Sequence, residues 1–473
     1  MGKFDLTIIG GGVGGLVAAS GASQFGAKVA LVEKERLGGD CLHYGCVPTK
    51  TLVHSARLIS LMSRAAEFGL NPVKVDFEFR KIMEHMREVQ KKIGEHDDPK
   101  RFEKMGIKLF FGKGGFKDTH TFEVNGTDIK SRKFLIATGS RPVKLPIPGL
   151  DKVDTLDNIK ILALNRLPES ILVMGAGPIG MEFAQVFKRF GSKVTVIEKA
   201  GQILPREEKE ISDRLEGILK REGMEIITCV ETKRVEQSGN KKFVVADCSG
   251  KEKRFEADEL LVAIGRAPNI EGLNLDKIGV QTTSRGIVVD DTLKTTVSNI
   301  WACGDVTGMF PFTHMAEYEA GIIIGNALFP FVNRKMDKTV VPWTTFTDPE
   351  LARVGLTEDE ARKEYGDIKV YRYPFSEHDR AIIDGETGGD IKLVCDKKGK
   401  ILGAHILGVG AGDLINEYIF AMKNGLPVQK ISQTVHVYPT MGQVVKRGAD
   451  QYYKEKLFSG WFPKVARFLM KFK

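Results

Sequence analysis

One pattern of strand, glycine turn, helix and strand occurs twice in this chain, 165 residues apart. The first copy opens on the apolar strand Leu6-Thr7-Ile8-Ile9 and turns through Gly10-Gly11-Gly12-Val13-Gly14-Gly15. Small residues that read as a helix follow to Gly26, and the copy closes on Lys28-Val29-Ala30-Leu31-Val32-Glu33. The second copy runs Ile171-Leu172-Val173-Met174, then Gly175-Ala176-Gly177-Pro178-Ile179-Gly180, and closes on Lys193-Val194-Thr195-Val196-Ile197-Glu198. Each turn satisfies G-x-G-x-x-G, through Gly10, Gly12 and Gly15 and through Gly175, Gly177 and Gly180. The first glycine permits a tight turn, the second lets the backbone approach a pyrophosphate, and the third lets the helix pack close on the strand. The helix N-terminus then offers N–H groups and a positive dipole end to the phosphates.

A single such turn is weak, because plain strand–helix connections use glycine too. Two copies, each with a glutamate 23 residues after its first glycine, specify two dinucleotide-binding folds. Glu33 and Glu198 end their strands where a carboxylate can hydrogen-bond a pair of ribose hydroxyls. Glu198 favours NADH over NADPH, since a carboxylate repels a 2′-phosphate; Lys199 and Arg206 nearby soften that preference.

A chain of 473 residues exceeds one core and is expected to form about three domains. No run of 18 apolar residues reads as a spanning helix. After Met1-Gly2-Lys3-Phe4-Asp5 the chain enters a strand at once, so no signal peptide is expected and the location expected is cytoplasmic. Six cysteines are too few for a disulfide framework at this length: Cys41 and Cys46 are close, while Cys229, Cys248, Cys303 and Cys395 are scattered. The net charge is +9, but residues 451–473 alone carry six Lys and Arg against Glu455. The body is therefore nearly balanced, and nucleic-acid binding is not expected.

The close cysteines stand in Cys41-Leu42-His43-Tyr44-Gly45-Cys46-Val47-Pro48. Their sulfurs can meet only if the segment bends sharply, which Gly45 permits. The plain alternative is two packed core cysteines; the position just after the first nucleotide turn favours a redox pair. A helix is expected from Thr49 to about Glu67, with Cys46 just ahead of it, where the dipole lowers a thiol pKa. Further on, Phe134-Leu135-Ile136-Ala137-Thr138-Gly139 reads as a strand and tight turn. Pro142, Pro146 and Pro148 mark a linker into the second nucleotide unit, which closes at Leu260–Arg266. From about Pro342 the pattern becomes that of a separate α+β domain.

Gly38-Gly39-Asp40-Cys41 through Cys46-Val47-Pro48-Thr49-Lys50 resembles the active-site signature of the class I flavoprotein disulfide oxidoreductases, which include dihydrolipoamide dehydrogenase, glutathione reductase and mercuric reductase. The resemblance continues through Ala137-Thr138-Gly139, Gly180-Met181-Glu182, Gly265-Arg266-Ala267-Pro268-Asn269, Cys303-Gly304-Asp305 and Phe346-Thr347-Asp348-Pro349-Glu350, covering residues 1 to about 455. It implies an α/β chain with two Rossmann-like domains, for FAD (1–148 and 272–341) and NAD(P)H (149–271). It further implies an α+β dimerisation domain (342–456) and a homodimer that shares its active sites. FAD would lie on Gly10, Gly12, Gly15, Glu33, Thr138 and Gly139, with Asp305 near its ribitol. NADH would lie on Gly175, Gly177, Gly180, Glu198 and Gly265. Lys50 and Glu182 would pair beside the flavin, Cys46 would face it, and Cys41 would meet the acceptor. No resident metal site is implied.

Disulfide-reducing members end on His-x-His-Pro-Thr-x-x-Glu, in which the second His protonates the leaving thiolate and the Glu orients it. Here the run is His436-Val437-Tyr438-Pro439-Thr440-Met441-Gly442-Gln443. Tyr438 stands for the acid and Gln443 for its partner. A phenol of pKa near 10 is a poor proton shuttle at neutrality, so a metal ion or a quinone becomes the expected acceptor, as the likeness to mercuric reductase suggests. No cysteine follows Cys395, so the C-terminal cysteine pair of mercuric reductases has no counterpart. His436 reads as a packed histidine. Asp40, where Thr is usual, would raise a thiol pKa or attract a cation. Dihydrolipoamide dehydrogenase-type disulfide reduction and a slow flavin/NADH sensor or scaffold remain the alternatives.

Residues 457–473 read as a basic amphipathic tail. Ser459, Gly460 and Pro463 suggest a helix start, Trp461 and Phe462 lie at its entry, and Val465, Phe468, Leu469 and Phe472 form a stripe beside Lys464, Arg467 and Lys471. Contact with an anionic membrane surface, at the inner face, is one expectation; packing on its own dimer is the other.

Overall fold

The computed structural model describes residues 3–458 and 462–472. Two compact units form. One gathers the chain up to Ser55 with Phe77–Leu167 and Leu261–Asp337; the other gathers Ala56–Asp76, Pro168–Leu260 and the chain from Lys338.

The first unit is built on a seven-stranded sheet. Phe4–Ile9 is central, parallel to Val29–Glu33 on one side and to the end of Thr127–Ile136 on the other. Lys108–Phe111 extends the sheet beyond Val29–Glu33, and Ile300–Ala302 pairs in parallel with Thr127–Ile136. Val29–Glu33 is buried along its whole length, as a parallel strand covered on both faces must be. The helix Val13–Gln24 packs against the helix Thr313–Leu328. Its small residues are what allow the approach: a Cβ on Gly21 would stand 2.6 Å from Ile324 Cδ1. The other end of Thr127–Ile136 joins an antiparallel meander with Thr121–Val124 and Gly114–Asp118. There Phe116 meets Phe122 and Phe134 edge to face, with ring centroids 5.0 Å apart in both pairs.

In the second unit, Ser170–Met174, Lys193–Ile197 and Glu225–Ile227 form a parallel sheet. Val230–Ser238, Lys241–Cys248 and Lys251–Ala257 make an antiparallel one. Pro342–Thr345, Glu350–Gly355, Ile401–Gly408, Asp390–Cys395 and Lys369–Pro374 form a five-stranded antiparallel sheet, against which Ala411–Lys423 and Gln443–Phe458 pack. Buried Tyr418 anchors that packing, its hydroxyl donating to the Val445 carbonyl at 2.7 Å. Buried Lys392 is matched by three carboxylates, Glu208 (2.9 Å), Glu210 (3.0 Å) and Glu358 (2.8 Å). A buried cation needs such partners, because an unpaired charge there would cost several kcal/mol, on the order of 3–5.

Glu207 is less well matched. Trp343 Nε1 donates to one carboxylate oxygen at 2.5 Å, but the other oxygen is buried without a partner. Burial pushes its pKa up to about 7, against the Trp343 bond and the Arg353 charge. Its raised folded-state pKa means that the native chain binds the proton more tightly than the unfolded one. The stabilisation is full at pH 4 and fades as pH rises to 7. Glu207→Gln should match the wild type near pH 4. It should gain progressively to pH 7, by no more than about 3 kcal/mol, and hold that gain above. Paired thermal melts from pH 4 to 9 check this; a constant difference across the range would contradict it.

The helix after the cysteine pair begins at Cys46, three residues earlier than the sequence suggested, and runs to Ser63. Pro48 lies inside its first turn, where a missing N–H costs nothing. The tail forms the helix Phe462–Leu469 and one further turn to Phe472. Val465, Leu469 and Met470 are exposed, as is Phe458 at the end of the preceding helix. Ser459, Gly460 and Trp461 lie outside the described residues, as do the side chains of Phe462 and Phe472. No helix among the described residues is long and apolar enough to cross a membrane.

Candidate active site

Three loops far apart in sequence meet at the carboxyl edge of adjacent parallel strands in the first unit. Gly10–Gly15 follows Phe4–Ile9, Ala137–Gly139 follows Thr127–Ile136, and Cys303–Asp305 follows Ile300–Ala302. Backbone bonds zip them together: Ala137 N–H to the Ile9 carbonyl (2.8 Å) and Cys303 N–H to the Ile136 carbonyl (3.1 Å). This edge, where strand connections diverge, is where open α/β sheets bind ligands. Gly10 has φ +114°, and a Cβ there would strike the Ala137 backbone; a Cβ on Gly15 would strike the Gly10 carbonyl. The helix Val13–Gln24 has neither a side-chain cap nor an acidic residue in its first turn. Its N-terminus thus carries neither a capping side chain nor a carboxylate that would compete with a phosphate.

The second unit repeats this construction. Gly175 has φ +101°, a Cβ on Gly180 would strike the Gly175 carbonyl, and Gly177 has nothing within 4 Å of where a Cβ would stand. The helix Pro178–Phe190 likewise lacks a side-chain cap and an acidic first turn. The glutamates match too. Glu33 accepts the Gly11 and Glu35 N–H groups at 2.7 and 2.9 Å, and Glu198 accepts those of Ala176 and Ala200, both at 2.7 Å. Each carboxylate is thus pinned beside its glycine turn. Two of its roughly four lone-pair positions are used, which leaves acceptors for a ribose diol. Next to Glu33 opens a cleft of about 570 Å³, lined by Glu35, Arg36, Leu37, Asp97, Pro99 and Phe111 among others. The residues present fit FAD at the first turn and NAD(P)H at the second.

Asp305 lies in a polar network of the first unit. Ser140 Oγ donates to it, and Arg266 lies 3.8 Å away. Arg266 also donates to Ser140 Oγ at 2.7 Å and pairs with Asp40 at 3.1 Å. Thr138 and Asn269 exchange bonds (Oγ1 to the Asn269 carbonyl at 2.7 Å, Nδ2 to the Thr138 carbonyl at 2.9 Å), and Gly139 accepts the Asn269 N–H at 2.9 Å. Gly265, at φ +131°, allows the chain to turn ahead of this network. Behind it, buried Glu319 accepts the Gly304 N–H at 2.6 Å, and burial raises its pKa to about 7.

Cys41 lies in the short helix Gly39–His43 and Cys46 opens the next one. Gly45 makes the bend: a Cβ there would stand 3.3 Å from Cys41 Cα. The two cysteines are thiols, not joined in a disulfide. Cys46 is the exposed member, 3.3 Å from the Thr313 hydroxyl. A hydrogen bond to Cys46, then burial, then the Cys46 charge hold the Cys41 proton far above the usual thiol range. Cys41 is thus the member that holds on to its proton. The cation that meets the Asp40 carboxylate is the Arg266 guanidinium. Lys50 lies one turn beyond Cys46 on the same helix. In the second unit Glu182 is buried on Pro178–Phe190 and accepts the Phe346 N–H at 2.9 Å.

The segment 434–442 links two helices of the second unit. Its His436 lies 3.0 Å from Glu417 and is nearly buried, in keeping with a packed histidine. Tyr438 is 62% exposed and donates to Asp379 at 3.1 Å. That bond, with the Asp379 charge, holds the phenol above its ordinary pKa. Gln443 opens the helix Gln443–Phe458.

Residues 4–320 match the family described as pyridine nucleotide-disulphide oxidoreductase, and residues 341–449 match its dimerisation domain. The chain belongs to this family. The oxidoreductase is 36% identical over 455 residues to a mercuric reductase of Lysinibacillus sphaericus, across 96% of this chain and 83% of that one. It is 35% identical over 463 residues to a dihydrolipoyl dehydrogenase of Bacillus subtilis (strain 168), across 94% and 97%. A solved structure, the Cu(II) complex of the HOCl-induced flavoprotein disulfide reductase RclA from Escherichia coli, matches with a TM-score of 0.86 at 32% identity, covering 95% of this chain and all of that one. Enzymes of this family use FAD and NAD(P)H, and the dimerisation domain indicates a homodimer.

Three contacts of this oxidoreductase escape motif reading. Thr313 touches Cys46 from 267 residues away, Arg266 takes up Asp40, and Asp379 holds Tyr438. Only Arg266 lies in a recognisable motif. The other two carry no local signal, because each is defined by a contact between distant elements.

Proposed function

We propose that this oxidoreductase passes electrons from NADH through FAD to the Cys41/Cys46 pair and on to an acceptor other than an ordinary disulfide, a metal ion or a quinone. One observation carries the reading: Tyr438 and Gln443 replace the acid–base dyad, and the Tyr438 proton is committed to Asp379. An enzyme that must protonate a thiolate leaving group gains ~10²–10⁴ in rate from such a dyad, and a phenol held by a carboxylate cannot supply it. Two neighbouring cysteine sulfurs, by contrast, are soft ligands suited to a soft metal ion.

The first glycine turn with Glu33, Thr138, Gly139 and Asp305 binds FAD, and the second with Glu198 and Gly265 binds NADH. The domain limits are then 1–148 with 272–341, 149–271 and 342–456. When bound, FAD supplies the relay between a hydride donor and thiol chemistry. Lys50 and Glu182 pair beside it. Cys46 faces it, and Cys41 meets the acceptor. Oxidation of the dithiol to the disulfide releases two electrons and two protons, which matches Hg(II) to Hg(0) or a quinone to its quinol. Steady-state NADH oxidation by the purified holoenzyme tests this with lipoamide, Hg(II) in excess thiol, and a short-chain menaquinone analogue. Fast metal or quinone turnover with negligible lipoamide turnover is expected. The reverse order would establish a dihydrolipoyl dehydrogenase-type enzyme, and slow turnover with all three a sensor or scaffold.

A second reading concerns the tail. Exposed Val465, Leu469 and Met470, flanked by Lys464, Arg467 and Lys471, support contact with an anionic bilayer, and with it a lipid-soluble acceptor. Full-length enzyme should float with liposomes rich in anionic lipid, and a chain ending at residue 456 should not. Equal flotation would remove the idea.

A further inference from the structure

Three consecutive residues grip the segment that bears Tyr438. His378 Nε2 lies 3.0 Å from the Thr440 carbonyl oxygen, Asp379 accepts the Tyr438 hydroxyl at 3.1 Å, and Arg380 Nη1 donates to the Pro439 carbonyl at 3.2 Å. The gripping stretch is itself fixed. His378 is buried, Arg380 pairs with Asp384 at 2.6 Å, and the Tyr373 hydroxyl donates to the Glu377 carbonyl at 2.9 Å. On the other side of the segment, His436 is engaged with Glu417. Tyr438 is therefore an exposed ring whose hydroxyl direction is set by one carboxylate on a rigid support.

We propose that Asp379 is the positioning residue of Tyr438, filling from a different element the place that Gln443 has given up. A phenol has one proton to donate and two lone pairs. A carboxylate that takes the proton forms a charge-assisted bond and leaves the lone pairs pointing outward, electron-rich through the polarised bond. Tyr438 then meets an acceptor as an oxygen that accepts or coordinates, not as an acid. This rests on the reading above, in which Tyr438 borders the acceptor.

The test is a double-mutant cycle on the holoenzyme: Asp379→Asn, Tyr438→Phe and both together, with Asp379→Glu as the conservative variant. The first readout needs no acceptor. Tyr438 ionisation is followed as the phenolate absorbance that Tyr438→Phe removes, with and without Asp379→Asn. It should move down towards an ordinary value of about 10 when the charge is lost. The second is the pH profile of kcat/KM with Hg(II) in excess thiol. Asp379→Asn should lose on the order of tenfold, Tyr438→Phe at least as much, the double variant no more than Tyr438→Phe, and Asp379→Glu should recover part of the loss. Additive losses, or a shifted titration with unchanged kinetics, would overturn the assignment. If the wild type instead turns over lipoamide and not Hg(II), the proposed acceptor class falls, and the same cycle read with lipoamide still decides the role of Asp379.

Discussion

Cys46→Ala is expected to lower NADH-driven Hg(II) reduction on the order of 10³-fold or more, as loss of a reacting group in a cooperating set does. NADH should still reduce the bound FAD. The two cysteines are unequal: Cys46 is exposed at the start of a helix, and Cys41 is held protonated by its bond to Cys46 and by burial. A lone Cys41 can neither close a disulfide nor pass two electrons on. The same variant separates the acceptors. A quinone that takes electrons from FAD directly would be reduced at the wild-type rate, so parallel collapse of both activities would show that the cysteine pair serves both. Retained Hg(II) reduction would remove the pair from the pathway. Stopped-flow flavin absorbance alongside steady-state assays gives both readings.

Restoring the dyad should work in the opposite direction. Tyr438→His with Gln443→Glu is expected to raise lipoamide turnover by ~10²–10⁴, the usual worth of a placed acid–base group. The imidazole would also meet Asp379, now 3.1 Å from the Tyr438 hydroxyl. A carboxylate raises an imidazole pKa, so the acid limb of the profile should extend upward in pH, and Asp379→Asn added to the pair should draw it back. Lipoamide turnover that stays negligible in the double variant would mean that the pocket itself, not the dyad, excludes disulfides.

The two nucleotide turns were legible because their physics is local. A strand, three glycines with fixed tasks and a terminal glutamate all lie within one short stretch, and Gly10, Gly15, Gly175 and Gly180 each perform the predicted task. The bend at Gly45 was legible for the same reason. What the sequence hid is non-local. Asp40 read as raising a thiol pKa or attracting a cation, but its partner Arg266 could not be named, because it stands 226 residues away. The helix start at Cys46 was misplaced because Pro48 reads as a boundary, although the first turn tolerates it. Asp379 could not be read at all, since nothing in its own neighbourhood announces a phenol 59 residues on.

The sheet edge that carries Gly10–Gly15 is assembled from the two ends of a long stretch of synthesis. Phe4–Ile9 pairs with Thr127–Ile136, but the last strand of that array, Ile300–Ala302, leaves the ribosome some 160 residues later. At about 5–20 residues per second that is a wait of roughly 8–30 s. During it the nascent chain carries an unpaired strand edge, the kind of surface that invites pairing with another chain. The intervening residues 168–260 emerge in that interval, while the rest of their own unit, from Lys338 on, is still to come. The Gly-rich turn that comes first from the ribosome is thus among the last parts to acquire its full set of neighbours, and a nascent chain stalled before Ile300 should bind no flavin.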